Sequence, residues 1–346
     1  MREVGMSAFS AKVEKDAELG AILSLHHRNR EDPRRSLEIA IAPELGSNMF
    51  RFRVGGEDIF YCDRELLKDH DWTGNFPLWP IPNRVRDKKY TFEGRTISLE
   101  SIRRMRGNGS LIHGLVDDQV WEYEEPTVEK DFAAVKTHIS IGENSPLYAY
   151  FPFECELILQ YILYPDQVKV QYTVSNNEDR GTSKNMPFGF ALHPYFATLS
   201  GKAMTFVSLP ADYIMEADEK LLPSGKLREV TGTEYDLRRP TPVDGLQLDT
   251  VFTGLHAGEK ATVDYRTLGM RVYLSASEEF THLVLYTLED GFICLENQTG
   301  STDMINLYTR AVGEQKIDLE KAAHLLILPP GHSHTGSIAY QIEYYL

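Results

Sequence analysis

Cysteine is scarce in this sequence: Cys62, Cys155 and Cys294 are the three found in 346 residues. They are far apart and odd in number, which excludes a disulfide framework or a zinc ribbon as the basis of the fold. Basic residues are outnumbered, 36 Lys and Arg against 51 Asp and Glu, giving a net charge of −15. So acidic a chain suits a phosphate backbone poorly, and nucleic acid is not an expected partner. No apolar run approaches the roughly 18 residues of a membrane-spanning helix, so no membrane partner is expected. The N-terminal stretch has acidic residues early and no signal-peptide core, which predicts a reducing, cytoplasmic setting. Phosphate-binding loops, GxGxxG fingerprints and HExxH zinc motifs are all missing. GHSHTG (331–336) is only superficially a serine-nucleophile elbow, because its second glycine comes one place too late. His332 and His334 there read more simply as loop residues than as a metal pair. Neither a metal nor a cofactor is expected.

What is abundant is apolar material in alternation. The hydrophobic fraction is 42%, with 16 Phe, 18 Tyr and 3 Trp, enough for a sizeable core. Val168, Val170, Tyr172 and Val174 share one face of a predicted strand, with Lys169, Gln171 and Thr173 on the other. Phe50, Phe52 and Val54 alternate with Arg51 and Arg53, and Cys155, Leu157, Leu159, Tyr161 and Leu163 repeat the pattern. Segments 37–41, 135–141, 270–276, 282–286, 324–328 and 337–345 also read as strands. Helical signals are confined to 64–70 and 314–323. Without βαβ alternation, the predicted class is all-β, with antiparallel sheets stacked as a sandwich or supersandwich. Residues 1–35 are weakly patterned and are expected to form an irregular arm, with 36–346 as one domain.

Four segments carry the candidate chemistry. Asn83 and Arg84 follow two prolines in WPIPNRVR, where a stiff backbone can hold a guanidinium as a fixed fork of donors. His113 precedes Gly114 in LIHGL. His193 precedes Pro194 among aromatic residues in FALHPYF, where burial favours an acid–base role. Glu296 ends the apolar run Phe292–Leu295, and a carboxylate there is costly unless paired or functional. Asp249 in LQLDTVF is a fifth, weaker candidate. Singly, each has a plainer reading: a surface ion pair, a turn, a core histidine, a buried ion pair, a helix or turn cap.

Taken together and in this order, the segments closely resemble the aldose 1-epimerase (galactose mutarotase) family. The matching stretches are PNRV with YTFEG downstream (82–94), IHG (112–114), GFALHPYF (189–196), LDTVF (248–252) and GFICLENQ (291–298), with PPG near 330. The resemblance implies a galactose-mutarotase-like β-supersandwich that interconverts the α and β anomers of an aldohexose such as glucose or galactose. It implies Glu296 as catalytic base, His193 as acid and His113 as a second histidine near the ring oxygen. Arg84 and Asp249 would hold substrate hydroxyls, with Asn83 beside them.

That chemistry suits these residue types. Opening a hemiacetal requires removing the C1 hydroxyl proton and protonating the ring oxygen, which one base and one acid accomplish and then reverse. The expectation is an ionised Glu296 facing a protonated His193. Trp79, Trp121, Tyr195 and Phe196 are candidates for stacking on the sugar, each with a core role as the alternative. Other readings are a hexose-6-phosphate 1-epimerase using Arg103, Arg104 and Arg106, a non-catalytic carbohydrate-binding module, and a glycosidase using Asp249 and Glu296. The chain is expected to work as a monomer or homodimer.

Overall fold

Alternating burial along successive strands organises the molecule. A computed structural model describes residues 8–102, 111–314 and 321–345. Its three largest sheets have five, seven and ten strands, and every strand pair in them is antiparallel. The strand Gln167–Asn176 buries Val168, Val170, Tyr172 and Val174 as its alternation predicts. It pairs with Cys155–Leu163 on one side and with Ser333–Tyr344 on the other, in the middle of the ten-stranded sheet.

The seven-stranded sheet has one face turned into the core and the other turned toward the site. In chain ranges its order is Pro223–Glu229, Ala211–Ala217, Asp249–Leu255, His282–Tyr286, Phe292–Gln298, Ala191–Ala197 and Asn75–Leu78. Phe196 points inward and meets Phe60 at 5.3 Å between ring centres, and Phe60 meets Tyr340 of the ten-stranded sheet at the same distance. His193 and Tyr195 lie one residue out of phase with Phe196, so they emerge on the opposite face.

The N-terminal region corrects the sequence expectation. Instead of an irregular arm, Phe9–Asp16 and Gly20–His27 form a hairpin that continues the five-stranded sheet through Leu37–Ala42. The outer strand alternates Phe9, Ala11 and Val13 with Ser10, Lys12 and Glu14, but buries only Phe9 fully, so its apolar face is weak beside its charged one. Gly20 closes the turn with φ +74°, and Glu44 accepts from the Ala21 N–H at 3.0 Å. Ser47, Thr137 and Tyr161 form a buried hydroxyl cluster joining this sheet to the ten-stranded one.

Helices are few and short among the described residues. Arg64–Lys68 falls where a helix was predicted and is capped by Asp63, which accepts from the N–H groups of Glu65 and Leu66. The second helix runs Met304–Glu314, ahead of the predicted 314–323. Its buried stripe is Met304, Ile305, Leu307 and Ala311, a helical spacing broken up by Asn306 and Thr309. Residues 315–320 lie outside the described residues, and 321–323 are helical.

Candidate active site

Strand register places the candidate residues in rows across one face of the seven-stranded sheet. Phe76 pairs with His193. Ala191 pairs with Gln298 and Tyr195 with Cys294, which sets His193 across from Glu296. Glu296 pairs with Val284, and Val284 with Val251. In the next row Tyr195, Cys294, Tyr286 and Asp249 lie side by side. Cross-strand neighbours share a face, so Glu296, His193 and Asp249 all project to the same side.

Two loops complete the site, and they are tied together. Arg84–Val85 pairs with Leu111–Ile112, and the His113 N–H donates to the Asn83 carbonyl at 3.0 Å. Both Asn83 and His113 adopt positive φ, 59° and 69°. Gly114 follows with φ +82°, and a Cβ there would lie 2.5 Å from the Trp79 carbonyl oxygen. That close approach is why glycine follows His113. The Asn83 side-chain oxygen accepts from the Arg84 backbone N–H at 2.9 Å and from its guanidinium at 3.2 Å. Arg84 thereby reaches Asp249, 3.5 Å away.

The centre of the site is a carboxyl and an imidazole in contact. Nε2 of His193 lies 3.3 Å from Oε1 of Glu296, and the two residues are 6% and 2% exposed. The Gln298 amide donates to the other Glu296 oxygen at 3.0 Å. The His193 ring is sandwiched between Phe76 and Tyr195, with centres at 5.0 and 4.9 Å. His113 stands edge-on to His193 at 4.7 Å and is itself met by Trp72 at 4.6 Å.

Burial governs the protonation of this pair. It pushes the Glu296 carboxyl up to about 8, with the Gln298 hydrogen bond opposing. It pushes His193 down to about 3. Asp249 is also raised by burial, against the pull of Arg84. Burial thus works against the expected ionised Glu296 and protonated His193, favouring the neutral form of each group in the unliganded site. The cause is that both groups are shut away from water, which penalises each charged form.

The structure brings Glu296, His193, His113, Arg84, Asp249 and Asn83 to one place. It separates the stacking candidates. Tyr195 lines the site, whereas Trp79, Trp121 and Phe196 belong to the core. Trp72, Phe76 and Gln298 are site residues that the sequence reading missed. Gln298 was within reach, since it lies two residues beyond Glu296 on a strand and so shares its face. His332 has its Nδ1 3.0 Å from the Pro330 carbonyl, and His334 faces Glu279 at 3.6 Å. Among the described residues no group of three or more His, Cys, Asp or Glu side chains is placed to hold a metal. Arg103, Arg104 and Arg106 lie outside the described residues.

Residues 35–341 match the family model for aldose 1-epimerase. The chain belongs to the aldose 1-epimerase family. Membership in this isomerase family agrees with the rows of residues just described. Galactose mutarotase of Sus scrofa is 25% identical over 185 residues, covering 51% of this chain and 48% of that protein. The chain thus spans about half the length of the galactose mutarotases it matches. An uncharacterised protein of Escherichia coli (strain K12) is 21% identical over 271 residues, covering 78% of this chain and 83% of its own. Among solved structures, a galactose mutarotase-like protein from Clostridium acetobutylicum superposes with a TM-score of 0.80 at 21% identity, covering 97% of this chain and 98% of the other. Galactose 1-epimerase from Lactobacillus acidophilus does so with a TM-score of 0.72 at 16% identity, covering 99% and 100%. These likenesses show that this aldose 1-epimerase family member has the mutarotase-like fold. No helix among its described residues is long and apolar enough to cross a membrane.

Proposed function

We propose that this protein interconverts the α and β anomers of a free aldohexose by acid–base ring opening and reclosure. The observation that carries the reading is the 3.3 Å contact between the buried His193 imidazole and the buried Glu296 carboxyl. A binding module has no use for such a pair. A mutarotase needs one proton donor and one acceptor together, and needs them to exchange roles.

In this reading Glu296 takes the C1 hydroxyl proton while His193 donates to the ring oxygen. The C1–ring oxygen bond breaks and an aldehyde forms. Rotation about C1–C2 presents the other carbonyl face, and the two proton transfers then run backward. The sequence requires the shared proton to move from Glu296 to His193 when sugar binds. Sugar hydroxyls donating to the carboxylate favour that ionised form, and the Arg84 guanidinium adds to it. Arg84 and Asp249 hold distal hydroxyls, leaving C1 able to turn. Tyr195 and Phe76 keep the imidazole plane fixed.

A cytoplasmic setting belongs to the same reading and is supported by three cysteines that are all free thiols. The test is optical rotation of freshly dissolved α-D-glucose and α-D-galactose, with and without the protein. A faster approach to the same final rotation is expected, because a catalyst leaves the equilibrium alone. No acceleration with either sugar overturns the reading.

A further inference from the structure

Arg84 is held in two ways. Asn83 aims its guanidinium towards Asp249. Its backbone is gripped from elsewhere, by the residue that precedes the helix Met304–Glu314. The Asp303 N–H donates to the Arg84 carbonyl at 2.9 Å. Oδ1 of Asp303 accepts from the Arg86 N–H at 3.0 Å, and Oδ2 lies 3.5 Å from the Arg86 guanidinium. One residue thus takes hold of the chain on both sides of Val85.

Asp303 is itself fixed. It is 3% exposed, with φ +57°, and its carbonyl accepts from the Leu307 N–H at 2.9 Å. The Asn306 amide donates to Asp303 Oδ1 at 2.7 Å and to the Lys89 carbonyl at 3.0 Å, tying the helix to the strand Lys89–Phe92. Met304 is fully buried, and a Cβ at Gly189 or Gly300 would lie 2.8 or 2.7 Å from its sulfur. A carboxylate this deep is unfavourable unless its oxygens are bonded. In an ordinary helix cap those oxygens meet N–H groups of the first turn. Here Oδ1 meets the Arg86 N–H and the Asn306 side chain instead. The carboxylate is turned towards the loop of the site.

We propose that Asp303 is a positioning residue for substrate binding, fixing the backbone of Arg84 so that its guanidinium meets the distal hydroxyls of the sugar. The proposal rests on the reading of Arg84 as a hydroxyl ligand. The Arg84 side chain is long, so a small tilt of its backbone is magnified at the guanidinium, whose hydrogen bonds weaken steeply with misalignment. Asp303 acts through Arg84 and away from C1, so KM rather than kcat reports it.

The experiment measures KM and kcat for glucose and galactose mutarotation, sugar affinity by calorimetry, and urea resistance. Asp303→Gly removes the carboxylate and suits the positive φ, leaving the backbone N–H in place. KM and the dissociation constant are expected to rise at least about threefold, with kcat changed far less. Asp303→Asn keeps an acceptor for the Arg86 N–H and tolerates the same φ, so it should restore both values. In an Arg84→Ala background the Gly substitution should change kcat/KM by less than about 1.5-fold, because the group it positions is gone. A merely structural role lowers urea resistance without that dependence on Arg84. If the Gly variant does not fold, Asp303→Ser takes its place with the same expectation, being suited to a helix start but too short to reach Arg86. Unchanged KM and affinity, or a rise that persists without Arg84, overturns the positioning role and leaves the acid–base reading standing. A wild type that binds sugar without accelerating its mutarotation overturns the acid–base reading alone, and calorimetry then decides the role of Asp303. A wild type that neither binds nor accelerates either sugar overturns both.

Discussion

His193 and Glu296 face each other across adjacent strands at 3.3 Å, with Gln298 bonded to the far carboxyl oxygen at 3.0 Å. The carboxyl is raised to about 8 and the imidazole lowered to about 3, so one proton belongs to the pair over the range between. Catalysis by a shared proton fails at both ends of that range. Above it no acid remains, and below it no base remains.

The rate should therefore follow a bell in pH, with the alkaline limb near pH 8 and the acid limb well below the usual histidine range. The profile of kcat/KM for the unliganded enzyme measures it. A rate still undiminished at pH 10 would count against the paired-proton reading.

Glu296→Gln should reduce kcat by about 10²–10⁴-fold, the usual contribution of one positioned acid–base group. The fold should persist, because Gln fills the same space without a charge. Stability should change in a defined direction. A carboxyl raised from 4.5 to about 8 contributes stability that is full below pH 4.5 and lost as pH rises through about 8. Wild type should lose urea resistance between pH 5 and pH 9 more steeply than the variant. His193→Asn should act in the opposite window. The imidazole's contribution is present above pH 6.5 and lost as pH falls towards 3, and the variant lacks that loss. Rate should fall in His193→Asn while sugar affinity is retained; unchanged catalysis in either variant sinks that residue's assigned role.

Gln298 is a positioning residue, since it acts through Glu296. Its hydrogen bond lowers the carboxyl pKa against burial. Gln298→Leu should move the alkaline limb to higher pH and lower kcat by about tenfold. A purely structural role would lower stability without moving the limb, so the pH profile separates the two.

Much of this was legible in the sequence because strands repeat with period two. Val168 to Val174 and Cys155 to Leu163 showed their buried faces, and those strands became the centre of the ten-stranded sheet. The site was legible only through five segments in a recognisable order, since no spacing between residues 84 and 296 reveals that they converge. Two things stayed hidden. Phe9–Asp16 is an edge strand whose short alternation, Phe9, Ala11 and Val13 against Ser10, Lys12 and Glu14, sits among charged residues and buries only Phe9 fully, so it reads as an arm. The protonation of His193 depends on Phe76 and Tyr195 closing over it, a tertiary fact. Residue type suggested a cation where burial leaves a neutral ring.

Arg84 is aimed by a single side chain. Asn83 holds φ +59°, and its oxygen accepts from both the Arg84 backbone and guanidinium. Asn and Asp adopt such a backbone more readily than other non-glycine residues. Asn83→Ala removes the acceptor and strains the turn by about 1 kcal/mol. KM should rise several-fold in that variant with kcat changed far less, the pattern of lost uniform binding. Asn83→Asp keeps both the acceptor and the turn, so its KM should stay near wild type. Arg84→Ala should raise KM more than Asn83→Ala does, because the donor itself is gone. Equal KM values for the Ala and Asp variants at position 83 would show that Arg84 finds its place without the bracket.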